Sequence, residues 1–307
     1  MSWTLGHYRV RGLELAYHAY GDPAAPPVLL IHGFLDHGRS FADVVAALPD
    51  PRYVIAPDLR GHGHSGWVGD GGYYHFYDYF DDVRALIEHL ALPPFLLVGH
   101  SMGGSVAVGT AAILGPERVQ AVLLLEGMGP PFQQLDASVE RLDRWSLALR
   151  APAMNGDVAA RRQSRRPMAD RAEVADRLQK MNPRLPRDRA ERLAETSTEE
   201  VPGGLVWRAD PLHRTPAAKP YVYEEAAALW QALKMPVWSL YAEDAAWYPD
   251  RLGERHRVVP RLTPGVVPEA GHAIHQDQPQ LVAQAIVALG RGEGLPPGIR
   301  PGEPPAR

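Results

Sequence analysis

The residues Gly99-His100-Ser101-Met102-Gly103-Gly104 place a serine at the centre of a Gly-x-Ser-x-Gly pattern, directly after the apolar run Phe95 to Val98. A serine hydroxyl is a weak nucleophile until a neighbouring base takes its proton. Attack on a carbonyl also needs donors aimed at the oxygen that becomes negative. The pattern suits a sharp strand–turn–helix elbow that presents Ser101 at the end of a strand, with Gly99 and Gly103 placed where side chains would strike neighbouring backbone. A helix is expected from about Ser105; the competing reading is a serine in an ordinary capping turn. The backbone N–H of Met102, the residue after the serine, is one oxyanion donor. The loop His32-Gly33-Phe34, which follows the run Val28 to Ile31, offers the second at Phe34. The base is expected at His272, in Gly271-His272, because the chain order nucleophile, acid, histidine requires a histidine there. His275 is its local competitor, read as a bystander on the same loop. His32 is read as a brace for the oxyanion loop. His62 and His64 could resemble metal ligands, but without a third ligand at suitable spacing they read as loop hydrogen-bonding groups.

These groups need a scaffold that brings distant loops together. Val28–Ile31, Tyr53–Ala56, Phe95–Val98 and Val119–Leu125 are continuous apolar runs bounded by Gly, Pro or Asp, which suits strands buried on both faces. Helical spacing between them, as in Val83, Leu86, Ile87 and Leu90 of Tyr79–Leu90, predicts alternation of strand and helix, hence a parallel sheet. Trp3–Val10 and Glu14–Tyr20 alternate as an edge hairpin would. Gly129 to Lys234 shows no convincing buried strand and is cut by prolines into short helices and loops. The strand pattern resumes at Val237–Tyr241 and Arg261–Pro268, and Pro279 opens a final helix over Gln280–Leu289. The expected organisation is an α/β core over 1–128 and 235–290, a helical cap over 129–234, and a loose Pro/Gly-rich tail over 291–307.

Composition narrows the chemistry. The 307 residues carry a formal net charge of -4, without the basic surplus of a nucleic-acid binder. The absence of cysteine excludes disulfides, thiolate metal sites and a cysteine nucleophile, and fits a reducing compartment. The N-terminal stretch lacks the basic and apolar regions of a secretory signal, and no window approaches a membrane span, so a cytoplasmic protein is expected. Nothing in the sequence sets an oligomeric state.

The motifs HGF, PDLRGHGHS, GHSMGG and GH, spread from about Leu29 to Gln284, resemble the α/β-hydrolase superfamily. HGFLDHGRSF, LEGMGPP and RADPLHRTP…YEEAAALW resemble, more narrowly, its serine hydrolase-like subgroup with a helical cap. The resemblance implies the α/β-hydrolase fold, a mostly parallel central sheet flanked by helices, with the cap inserted after the sixth strand. A serine at the elbow separates the chain from the dehalogenases and epoxide hydrolases that carry aspartate there. The family usually supplies its acid from a turn after the seventh strand, but here that position is Ala245. Two carboxylates remain. Asp244 lies one residue early. Glu126 ends the sixth strand, and a charge closing an apolar buried strand is costly unless paired. Glu126 is preferred and Asp244 is the alternative; Asp58 reads as a loop anchor.

The expected activity is cleavage of small-molecule carboxylic esters through an acyl-enzyme on Ser101, with no cofactor and no metal. Thioesterase, lactonase, amidase and C–C hydrolase chemistry remain open on the same residues, as does a non-catalytic binding protein that kept the fold. Arg150 to Arg192 holds twelve Lys and Arg against six Asp and Glu. That excess reads as solvated helix faces before it reads as an anion site. Trp145, Trp207, Trp230 and Trp247 could line an apolar pocket, although buried aromatics are more often packing.

Overall fold

A computed structural model describes residues 3–133, 135–151, 154, 156–245 and 251–304. Its strands are β1 (Trp3–Val10), β2 (Leu13–Tyr20), β3 (Pro27–Ile31), β4 (Tyr53–Pro57), β5 (Phe95–His100), β6 (Val119–Leu125), β7 (Thr198–Val201), β8 (Gly204–Trp207), β9 (Val237–Ala242), β10 (Leu262–Val267) and β11 (Arg300–Pro301). Its α-helices are α1 (Ala42–Ala46), α2 (Asp78–His89), α3 (Met102–Leu114), α4 (Ser138–Leu149), α5 (Val158–Gln163), α6 (Arg171–Met181), α7 (Arg187–Ser197), α8 (Tyr223–Gln231), α9 (Leu252–Val258), α10 (Ile274–Asp277) and α11 (Pro279–Gly290). The main sheet runs β1-β2-β4-β3-β5-β6-β9-β10-β11. It is parallel from β4 through β10. The hairpin β1–β2 joins antiparallel at one edge, as the alternation predicts.

Every residue of β3, β5 and β9 is buried, which is why those runs carry no polar alternation. Successive side chains of β3 serve opposite faces. Leu29 and Ile31 join the cluster formed with α2, α3 and α8, while Val28 and Leu30 join the cluster formed with α1 and α11. On α2 the buried residues Tyr79, Asp82, Val83, Leu86 and Ile87 mark one helical face. Fully burying each such leucine or isoleucine contributes about 1.5–3 kcal/mol.

The structure corrects several expectations. The helix after the elbow starts at Met102, not near Ser105. Gly103 and Gly104 sit inside its first turn because a Cβ on Gly103 would lie 2.3 Å from the Ile31 carbonyl oxygen, and one on Gly104 would lie 2.3 Å from the Gly127 Cα. The insertion between β6 and β9 contains a short antiparallel hairpin, β7–β8, where no strand was expected. Its last helix, α8, belongs to the main core by packing, through Ala226, Ala227 and Trp230. The described part of the tail is not loose: Ile299 is buried and Arg300–Pro301 pairs antiparallel with Gly265–Val266 of β10. The basic surplus of the insertion is largely paired, for example Arg165 with Glu199 and Arg177 with Glu173. Trp207 packs beside Met168, Val174 and Ala194 inside the insertion, and Trp247 lies outside the described residues.

Candidate active site

The loops after β5, β6 and β10 deliver three side chains to one end of the sheet, with neighbouring strands about 4.8 Å apart. Ser101 links β5 to α3 with φ 51° and ψ -118°. A positive φ on a serine is strained, and the turn holds it by a bond from the Ser101 N–H to the Leu125 carbonyl, 2.9 Å. The Ser101 Oγ lies 2.9 Å from His272 Nε2. Glu126 also has positive φ, 50°, and its N–H donates to the Leu240 carbonyl. That bend turns its carboxylate toward His272: Oε2 is 3.9 Å from His272 Nδ1, while Oε1 accepts the Ala242 N–H at 2.6 Å. The Glu126–His272 separation is longer than a hydrogen bond, yet within ion-pair reach. Asp244 points elsewhere, half-exposed and paired with Arg184 of the insertion.

A family profile described as the alpha/beta hydrolase family matches residues 28–285. The chain belongs to that family. It is 34% identical over 197 residues to a serine hydrolase-like protein of Danio rerio, covering 64% of this chain and 59% of that protein. It is 31% identical to serine hydrolase-like protein 2 of Homo sapiens over 64% of this chain and 61% of that one. It thus spans less than two thirds of the length of these curated relatives. Among solved structures, a protein of Pseudomonas aeruginosa PAO1 superposes with a TM-score of 0.79 at 28% identity, covering 94% of this chain and 98% of that one. The thioesterase domain from the curacin biosynthetic pathway superposes at 0.81 with 23% identity over 94% and 100% of the two chains, a likeness of fold.

Electrostatics around Ser101 follow from burial. Glu126 is 6% exposed, and desolvation lifts its carboxyl from 4.5 to about 8, against the Ala242 N–H that favours the anion. His272 is shifted downward, first by burial and then by nearby His275, so its imidazole is neutral at pH 7. The Phe34 and Met102 backbone N–H groups have no protein acceptor among the described residues, as oxyanion donors require, and both residues line the same cavity as Ser101. His32 braces that loop. Its Nε2 accepts the Leu59 N–H at 3.0 Å, so its Nδ1–H donates to the Gly33 carbonyl at 2.7 Å. His62 Nε2 accepts the Leu35 N–H at 3.2 Å, so its Nδ1–H donates to Arg60.

Two positioning residues escaped the sequence reading. Buried His100, the residue before Ser101 in the elbow, donates from Nε2 to the His272 carbonyl at 2.8 Å and so ties the Ser101 turn to the His272 loop. Asp277 accepts the Gly271 N–H at 2.8 Å and the Asn182 side-chain amide at 2.8 Å, joining that loop to the insertion. The adjacency of His100 to Ser101 was the available signal; Asp277 gave none. His275 does not reach Ser101. It is fully buried against Phe41 and His100 and faces Asp36 at 3.4 Å. Topology does bring a third potential ligand, His18, to His64 through Asp58. The Asp58 oxygens are already occupied by the His18 ring and by the Gly38 and His64 N–H groups, which makes Asp58 the loop anchor expected of it.

Proposed function

We propose that this chain is a serine hydrolase of carboxylic esters that works through an acyl-enzyme. The observation that carries the reading is the 2.9 Å contact between Ser101 Oγ and neutral His272 Nε2, opening on a cavity of about 850 Å³ lined mostly by apolar side chains. His272 takes the Ser101 proton as Oγ attacks the ester carbonyl. The oxyanion is held by the N–H groups of Phe34 and Met102. The tetrahedral adduct collapses, His272 gives its proton to the departing alkoxide, and the acid moiety stays on Ser101. Water then enters, loses a proton to His272 and attacks the acyl carbon, and collapse returns the proton to Ser101.

Glu126 serves as the acid. Imidazolium formed at His272 places a positive charge 3.9 Å from its carboxyl and favours the ionised form there. The insertion between β6 and β9 acts as a cap: Ala218, Lys219 and Tyr221, which precede α8, face the same cavity as Ser101. Labelling by a fluorophosphonate probe tests the reading. The wild type should be labelled and Ser101→Ala should not, while ester turnover falls ~10⁴-fold or more in the variant. Turnover retained in Ser101→Ala, with its fold intact, would refute it.

A further inference from the structure

The cavity wall nearest the nucleophile has a periodicity. Ser101, Met102, Ser105 and Val108 all line it, and spacings of three and four residues put them along one face of α3. The cavity therefore runs down the helix away from the oxyanion donors. Phe76 and Phe80, from the start of α2 and the turn before it, form one side; Leu229 and Trp230 of α8 form the other. The far end is closed by Phe80, whose ring lies so near α3 that a Cβ on Gly109, the residue after Val108, would sit 2.5 Å from it.

Resting on the esterase reading above, we infer that this channel is a slot for an uncharged acyl chain and that Val108 and Phe80 set its depth. From Ser101 to Val108 the helix rises about 10 Å at ~1.5 Å per residue. An extended chain advances about 1.3 Å per carbon–carbon bond of ~1.5 Å, so the slot accepts about eight carbons. The charge lining the cavity selects in the same direction. Lys219 and Glu225 both face it, but the Lys219 ammonium is bound to both Glu225 oxygens at 2.8 Å and to the Tyr77 hydroxyl. A chain ending in a carboxylate would have to take Lys219 from Glu225. A neutral chain disturbs nothing and gains from every methylene buried.

The test is the chain-length profile of kcat/KM for p-nitrophenyl esters from acetate to dodecanoate, read as the position of its break. Each methylene inside the slot should raise kcat/KM about fourfold, with levelling near eight carbons. Val108→Phe should move the break to about four or five carbons, and Phe80→Ala should move it beyond eight. Linear alkylboronic acids, which add reversibly to an active serine, give a second profile; their inhibition constants should break at the same lengths. Near-ultraviolet circular dichroism confirms that each variant keeps its packing. Acetate as the best substrate, or one break position shared by wild type and both variants, overturns the slot while labelled Ser101 and ester turnover leave the esterase standing. No label and no turnover at any length would overturn both.

Discussion

Replacing Glu126 with glutamine should make the protein more stable and much less active, and the size of the first effect should depend on pH. In the fold the Glu126 carboxyl sits at about 8, against an ordinary 4.5. Below pH 4.5 it is protonated whether the chain is folded or not, and burial costs nothing in this respect. As pH rises from 4.5, the unfolded chain ionises first, and folded stability falls by about 1.4 kcal/mol per pH unit until the folded group ionises near pH 8. The full shift corresponds to about 5 kcal/mol above pH 8, against less than about 1 kcal/mol at pH 5. Glutamine has no such dependence, and its carbonyl oxygen still accepts the Ala242 N–H. Urea unfolding at pH 5 and pH 8 should therefore show the Glu126→Gln advantage growing by roughly 4 kcal/mol between the two. Ester hydrolysis should fall about 10²- to 10⁴-fold, since the amide cannot supply a negative charge beside the imidazolium. A stability difference equal at both pH values would refute the claim that burial outweighs the Ala242 hydrogen bond at this carboxyl. Retained activity would remove Glu126 from the mechanism.

Other outcomes follow from the same geometry. kcat/KM should climb with pH, because His272 must be neutral and its pKa lies below the usual 6.5, and the climb should continue to about pH 8 as Glu126 ionises. His272→Ala should lose ~10⁴-fold or more in rate, and a larger loss in His275→Ala would reassign the base. Asp244→Asn should change turnover by no more than about threefold and cost at most about 1 kcal/mol, the worth of an exposed ion pair; a loss of hundreds-fold in rate would restore Asp244 as the acid. Arg161→Leu should strand fully buried Asp210, which also accepts from Tyr74, and lower stability by about 3–5 kcal/mol in denaturant titration.

What could be read from sequence was local chemistry. The elbow carries its own reason for each glycine, and the apolar runs that became β3, β4, β5 and β6 need no partner to be recognised. The features that were missed or left open depend on partners far along the chain. β7 and β8 are four residues each and half exposed, so their alternation is too short to register. Asp244 pairs with a residue 60 positions earlier, and His18 reaches Asp58 across 40. Trp230 follows Pro211, Pro216 and Pro220, which resemble the prolines of the rest of the insertion, yet its ring fills the main core. In the tail, abundant Gly and Pro masked one buried isoleucine that decides the outcome.

That tail has a colloidal consequence. β10 would otherwise be the last strand of the sheet, offering a row of open backbone donors and acceptors immediately before the loop that carries His272. Pro301 and Arg300 cover that row, Gly302 donates to the Pro264 carbonyl, and Glu303 bonds to His256 at 2.8 Å. A prolyl nitrogen donates nothing outward, so the strand that shields β10 makes a poor template for the next. Loss of residues 291–307 would bare a parallel-sheet margin lined by Val266 and Val267. The first sign of that loss would be chains adhering to one another edge to edge, ahead of any change in the chemistry at Ser101.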